Sequence, residues 1–260
     1  MTTTAEAGRS LPAWGGFSPT FVGLQLRRMF RNRRTVLFTL VMPAVLFLLF
    51  GTGSDYRTEP LGRGNVAGYI LVSMAVYAAM LATTAGGATV SIERAAGWSR
   101  QLRLTPLRPA AYIAVKLVVA MTVGAASVAV AFAVGAVSGA KLPGAVWFES
   151  GLLAWARALA FAAFGLFTGY LLPSENVMQI LGPVLGVLSF AGGLFVPVDQ
   201  LGTVFATIAK FTPVYGVGEI ARYPLVHQGS LAVAVLNVLA WTAVFAAGAV
   251  WRFRRDTARV

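Results

Sequence analysis

Six long apolar segments, each bounded by charged residues, proline or glycine, constrain this chain more than any other feature of its sequence. A helix needs about 20 mostly apolar residues to cross the roughly 30 Å hydrocarbon core of a bilayer. Segments of about that length run over residues 35–53, 65–91, 110–140, 148–172, 177–196 and 230–251. We therefore predict an all-α integral membrane protein with six transmembrane helices.

The composition agrees with this fold class, because 57% of the residues are hydrophobic and only 12% are charged. Cysteine is absent, which excludes disulfides, thiolate metal sites and a cysteine nucleophile. The first residues are small and polar and do not resemble a signal peptide. We predict a flexible cytoplasmic N-terminus over residues 1–17 and a single transmembrane domain over residues 18–260.

The basic residues form clusters between the apolar segments, so the net charge of +12 indicates membrane topology rather than nucleic-acid binding. Short loops rich in Lys and Arg stay on the cytoplasmic side. The opposite side has fewer cations, partly offset by Asp55 and Glu59. We predict a plasma-membrane protein with both termini cytoplasmic. The three cytoplasmic clusters are Arg27, Arg28, Arg31, Arg33 and Arg34; Arg94, Arg100, Arg103, Arg108 and Lys116; and Arg252, Arg254, Arg255 and Arg259.

The segment before the first apolar stretch is amphipathic. Ser18 and Pro19 form a typical helix start, with a capping residue followed by a first-turn proline. We predict an interfacial helix on the inner leaflet, and an ordinary basic topology anchor is the alternative. In a helix, Val22, Leu26, Met29 and Phe30 share one face, and Arg27, Arg28 and Arg31 share another.

The loop between the second and third apolar segments has the most informative pattern. Wound as one helix from Ile92 to Leu104, it separates an apolar face from a polar face that carries Glu93 and Arg94. Leu104 lies on the polar face, which suits docking into a groove of a soluble partner. A solvated basic connector is the alternative. The predicted apolar face consists of Ile92, Ala95, Ala96, Trp98 and Leu102, and the polar face of Glu93, Arg94, Arg100 and Gln101.

This loop resembles that of the permease subunits of type-2 ABC exporters. The similarity lies in Glu93-Arg94, Gly97, Arg100 and the run Leu104-Thr105-Pro106-Leu107, placed after the second of six helices. It extends to the basic helix before the first span and to the run from Gly192 to Pro197. Within the family, the chain is most similar to drug and antibiotic exporters typified by the daunorubicin permease.

The resemblance implies a separate ATP-binding subunit, which binds the ATP and Mg, and a second permease copy, identical or related. It implies a hydrophobic or amphipathic, drug-like cargo; polysaccharide or lipid export is the runner-up, and an ATP-independent channel or carrier comes after it. The chain has no phosphate-loop motif, so we expect no catalytic residue, cofactor or metal of its own. The implied ATPase-coupling residues are Glu93, Arg94, Gly97, Arg100, Leu104, Thr105 and Pro106.

Residues 199–224 are too apolar for a free loop. We predict two short outer helices that enter the outer leaflet without crossing it, one capped by Asp199 and one starting at Thr212-Pro213. They form either an outer gate or, as we favour, a packed cap over the last two spans. The residues assigned to this gate or cap are Phe195, Pro197, Pro213 and Tyr215.

Few ionisable residues fall inside the apolar segments. Arg157 could extend to the headgroups, pair with Glu149 or face a substrate path. Glu219 and Arg222 have the spacing of an ion pair within one helix. Small residues four apart, Gly165 with Gly169 and Gly182 with Gly186, predict close helix packing.

Overall fold

The computed structural model describes residues 16–53, 55–98, 107–200 and 202–258, and nearly all of this part is helical. The prediction of an all-α membrane protein is confirmed. The fifth predicted span, over residues 177–196, is shorter than expected, because its apolar helix has only 15 residues and ends at Ala191. Within the described ranges, five helices are long and apolar enough to cross a membrane: Arg33–Thr52, Val66–Ala95, Pro109–Val137, Gly144–Leu171 and Leu231–Arg255.

Two helices precede the first loop. Helix α1, Pro19–Arg31, follows Ser18 and carries Pro19 in its first turn, as predicted. The chain turns at Asn32, whose Oδ1 accepts hydrogen bonds from the backbone N–H groups of Arg34 (3.2 Å) and Thr35 (3.3 Å). Helix α2, Arg33–Thr52, therefore starts with a side-chain cap. Two stretches of π-helix, Leu37–Val41 and Leu48–Thr52, interrupt its α-helical winding.

A short hairpin joins α2 to the central helix. After a 3₁₀ turn, Asp55–Thr58, strand β1, Pro60–Leu61, pairs antiparallel with β2, Gly64–Asn65. Asn65 then caps helix α3, Val66–Ala95, by accepting from the Gly68 N–H at 2.9 Å. The same side chain bonds the segment after the next span, accepting from Lys141 N–H (2.9 Å) and donating to Gly139 O (3.0 Å).

Helix α3 lies at the centre of the bundle, with most of its residues buried. Helix α4, Pro109–Val137, packs along one side of it. The next span is broken at Ala158 into α5, Gly144–Arg157, and α6, Leu159–Leu171. A Cβ on Gly87 of α3 would lie 2.6 Å from the Ala162 carbonyl oxygen of α6, so the two backbones pack closely.

The last third of the chain contains both predicted short helices. Helix α7, Val177–Ala191, is followed by a 3₁₀ turn, Val198–Gln200, and by α8, Gly202–Ala209. The predicted start at Asp199 is wrong, because this turn intervenes and α8 begins at Gly202. Thr212 does cap the next helix, as predicted, with its Oγ1 accepting from the Tyr215 N–H at 3.4 Å. The remaining helices are α9, Pro213–Val226, and α10, Leu231–Ala258.

Candidate coupling site at the arginine-rich end

Several helix ends meet at one end of the bundle. Arg94, in the last turn of α3, donates to the carbonyl oxygen of Tyr170 at the end of α6 (3.1 Å). Arg252 of α10 reaches the same oxygen (3.5 Å), and the Phe253 and Tyr170 rings pack edge to face, 5.7 Å apart. Cations are favourable at helix C-termini, where carbonyl oxygens lack intrahelical partners. We call this region the arginine-rich end.

Glu93 is the centre of this end. Glu93 is only 2% exposed, although the sequence pattern predicted that it lies on a polar surface facing a partner. Lys116 Nζ donates to Glu93 Oε1 at 2.5 Å, and the Tyr112 hydroxyl donates to Oε2 at 2.5 Å. Both partners belong to α4, so this carboxylate fastens the end of α3 to the beginning of α4.

Helix α1 completes the arrangement. Gln25 Nε2 donates to Glu93 Oε1 (3.1 Å), while Gln25 Oε1 accepts from Lys116 Nζ (3.3 Å). Arg28, at the exposed rim, has its Nη1 3.6 Å from Glu93 Oε1. We refer to Gln25, Glu93, Tyr112 and Lys116 as the Glu93 cluster. A buried charge pair is tolerated when additional hydrogen bonds satisfy both ions, and this cluster provides them.

Apolar packing supports the same three-helix junction. Met29 of α1 is buried against Val115 and Val119 of α4, with Val22 and Leu26 packed beside it. Three of the four residues on the predicted apolar face therefore pack as expected, but Phe30 is 43% exposed. Gln25 takes the central place on the buried face. Arg27, Arg28 and Arg31, the residues predicted for the inner-leaflet interface, are all exposed.

The predicted helix from Ile92 to Leu104 is wrong at its beginning. Ile92 to Ala95 form the last turn of α3, and Gly97 adopts a left-handed backbone (φ 76°) that interrupts the helix. The predicted faces are also reversed, since Ile92 and Ala96 are exposed while Glu93 is buried. A Cβ added at Gly97 would meet none of the described residues within 4 Å. Glycine is therefore needed there for its left-handed backbone conformation and not for close packing.

The structure describes only some of the other residues in the predicted coupling segment. Arg94 lies near the surface but is bound to the end of α6. Trp98 is half-buried at the start of the loop. The coupling role itself stays a prediction. Arg100, Leu104, Thr105 and Pro106 lie outside the described residues.

At the opposite end, the residues predicted as an outer gate or cap are mainly packed. Phe195 lies edge to face with Tyr77 of α3, with ring centres 5.0 Å apart. Pro213 and Tyr215 are buried at the start of α9, and Pro197 is half-buried. Packing of this kind is what a cap requires. The gate function stays a prediction.

A second buried ionic group lies at that opposite end. Arg222 is 1% exposed and donates to Glu219 Oε1 (2.7 Å), which confirms the predicted ion pair. It also donates to Gly193 O (2.7 Å) and Ser73 Oγ (3.2 Å), and its guanidinium lies 5.0 Å from the centre of the Tyr69 ring. Arg222 thus joins α9 to α3 and to the end of α7.

These features define a polytopic helical membrane protein. The Glu93 cluster holds its arginine-rich end together, next to the loop that follows α3. A family model, "ABC-2 type transporter", matches residues 20–226, and the chain belongs to this family. The family comprises transmembrane transport subunits of ABC transporters, which implies an ATP-binding partner. The chain is also 30% identical over 208 residues to "Putative transport permease YvfS" of Bacillus subtilis (strain 168). That similarity covers 79% of this chain and 84% of the relative.

Proposed function

We propose that this chain is the membrane-spanning subunit of an ATP-driven exporter, and that its ATPase partner binds the loop after α3 at the arginine-rich end. In this proposal the arginine-rich end and both termini are cytoplasmic, in the plasma membrane. The charge distribution supports this orientation, because basic residues are retained on the cytoplasmic side. Residues near both ends of the described chain lie at that end: Phe21 and Phe253 pack against the same group of buried residues.

The Glu93 cluster is the observation that carries the proposal. It lies in the last turn of α3, directly before the loop, and it links that turn to α1 and α4. Displacement of the loop by a partner would therefore move three helices together instead of one. This is the geometry required for a rigid-body transition between inward-facing and outward-facing states.

In the full transporter, two permease subunits, identical or related, would each engage one ATPase subunit. Closure of the ATPase pair on ATP would bring the two arginine-rich ends together. The cargo we propose is a hydrophobic or amphipathic compound of the drug or antibiotic type. The apolar surfaces of the spans support this choice of cargo class, since strongly polar groups are few in them.

The structure changes how the coupling loop should be tested. Charge reversal at Glu93 would disturb a buried ion pair and therefore folding, so it does not isolate partner binding. Leu104→Asp alters the predicted docking surface directly. Leu11→Asp is a matched control, because it makes the same change in the N-terminal segment before the family match.

The experiment is co-purification of this chain with a co-expressed phosphate-loop ATPase subunit from the same genome. We expect Leu104→Asp to reduce the recovered ATPase at least about tenfold, equivalent to losing roughly 1.4 kcal/mol of binding free energy. Membrane insertion should stay unchanged, and Leu11→Asp should behave as wild type. Full recovery of the ATPase with Leu104→Asp would refute the proposed binding site.

A further inference from the structure

Arg157 is a cation placed halfway along a transmembrane span. It is the last residue of the 14-residue α5, and the span that α5 forms with α6 has 28 residues. At about 1.5 Å per residue, Arg157 is roughly 20 Å along the helix from either end. The half-thickness of the hydrocarbon core is about 15 Å. Arg157 therefore lies near the middle of the bilayer.

The structure supports neither an ion pair of Arg157 with Glu149 nor extension of its side chain to the headgroups. In the described part of the chain, Arg157 forms no ion pair with Glu149, contrary to one alternative from the sequence. Its Nε is enclosed by protein and has no hydrogen-bond partner. A side chain that extends through lipid towards the headgroups would leave this atom at the lipid surface, so the enclosed Nε argues against that alternative as well.

Arg157 contrasts with the two cations that are fully buried among the described residues. Lys116 has the Glu93 carboxylate and Arg222 has the Glu219 carboxylate. Placing Arg at the centre of a membrane helix is energetically costly. Such a cost, without a carboxylate among the described residues, is typical of a functional group rather than a structural one.

The surroundings of Arg157 leave part of its side chain accessible. The side chain is half-buried, between the buried Ala154 and Ala158 and the exposed Ala156 and Leu159. The helix breaks immediately after it, where the Ala158 N–H bonds to the Trp155 carbonyl oxygen (3.1 Å). A ligand moving along the bundle surface at mid-membrane depth would meet one unpaired guanidinium in an apolar environment.

We infer that Arg157 binds an oxyanion, a carboxylate or a phosphate, carried by an amphiphile that crosses the membrane along this chain. The inference rests on the proposed export function and specifies its cargo: an apolar body with one negatively charged group. Guanidinium binds such groups through two parallel hydrogen bonds. The interaction is strengthened where water is excluded.

The test is equilibrium binding to the purified chain in nanodiscs of zwitterionic lipid. The probes are dansyl-labelled undecanoic acid and its methyl ester, which differ only in the charged group. Energy transfer from tryptophan to dansyl reports binding. We expect the wild-type chain to prefer the acid, and Arg157→Gln to weaken acid binding about tenfold without changing ester binding. Arg157→Lys should retain a reduced preference, because the charge remains and the planar fork is lost.

The controls separate this inference from the proposed function. Binding requires no ATPase, so the result stands even if ATP-driven export were refuted. Arg33→Gln removes an exposed cation at the arginine-rich end and should leave the acid preference unchanged. In phosphatidylglycerol nanodiscs, Arg157→Gln serves as the reference for the repulsion that an anionic bilayer exerts on any acid. An acid preference that the wild-type chain loses beyond this reference would identify an anionic lipid headgroup as the competing occupant, whereas a retained preference would favour a carboxylate-bearing cargo.

Two results would overturn the inference. One is equal affinity of the wild-type chain for acid and ester. The other is an unchanged acid preference in folded Arg157→Gln or, should that variant not fold, in Arg157→Lys.

Discussion

Glu93 shows how much of this fold depends on one carboxylate. Its Oε1 accepts from Lys116 and Gln25, and its Oε2 accepts from Tyr112. A buried ion pair adds little net stability compared with an apolar pair, but removing one partner leaves an uncompensated charge. The Glu93 cluster therefore fixes the relative positions of α1, α3 and α4 more than it raises the overall stability of the fold.

This reasoning predicts non-additive effects of mutation. Glu93→Gln should destabilise the chain by about 3–5 kcal/mol, because it leaves the buried Lys116 without a carboxylate. Lys116→Met should cost less, because Arg28 Nη1 still lies 3.6 Å from Glu93 Oε1. The double variant should lose clearly less than the sum of the two, since neither charge is then present. Thermal unfolding of the purified protein in detergent, followed by tryptophan fluorescence, measures all three variants.

Glu149→Gln serves as the control, because this carboxylate is exposed and has no ion-pair partner among the described residues. It should unfold at the wild-type temperature. Additive losses in the double variant would show that Glu93 and Lys116 act independently, and the structure excludes that.

At the scale of the element, the contact between α3 and α6 depends on glycine. Gly165 of α6 lies against the backbone of Thr84, and an added Cβ would come within 2.9 Å of the Thr84 Cα. Gly182 and Gly186 of α7 have the same four-residue spacing, yet an added Cβ on either would meet none of the described residues within 4 Å. The spacing pattern alone therefore did not distinguish a packed pair from an open one.

Substitution at the two sites should separate these cases. Gly165→Ala forces α3 and α6 apart and should destabilise the chain by about 1–3 kcal/mol, the usual cost of overpacking. Gly182→Ala makes the same chemical change in open space and should be neutral or slightly stabilising, because alanine favours helix. The comparison is made on unfolding temperatures in detergent. Equal losses at both sites would contradict the close approach of α3 and α6.

Local signals in the sequence predicted helix starts well. Ser18-Pro19 and Thr212-Pro213 both begin helices, because capping and proline geometry act within a few residues. The break at Ala158 had no such signal: neither proline nor glycine occurs there. Both half-helices pack against α3 and α4, and α5 packs in addition against α9, whereas α6 packs against α10. Periodicity within one segment cannot show such contacts.

The sequence singled out Glu93 but predicted neither its burial nor its partners. Gln25, Tyr112 and Lys116 lie 68, 19 and 23 residues away from it along the chain. A helical wheel of residues 92–104 contains none of them, so it assigned Glu93 to a solvent-facing surface. Lys116 was interpreted only as a topology signal. Bringing these residues together requires the packing of three helices.

At the scale of the whole molecule, two buried ionic groups mark the two ends of α3. Ser73 bonds Arg222 at one end, and Glu93 forms its cluster at the other. They are 20 residues apart on one helix, about 30 Å at 1.5 Å per residue. That distance is the thickness of the hydrocarbon core. The two ionic groups bound to α3 therefore have the spacing of the two membrane boundaries, and Arg157 lies between them.

This arrangement gives the orientation a direct test, because the chain has no cysteine and single cysteines can be introduced without background labelling. Ala96 is exposed at the arginine-rich end, and Gln228 is exposed between α9 and α10 at the opposite end. In intact cells, a membrane-impermeant maleimide should label Gln228→Cys and leave Ala96→Cys unlabelled until the membrane is permeabilised. The reverse pattern would place the loop after α3 outside the cell, where no ATPase partner could bind it. Labelling of both positions in intact cells would show that the two ionic ends of α3 do not face opposite sides of the membrane, which contradicts the transmembrane placement of the central helix itself.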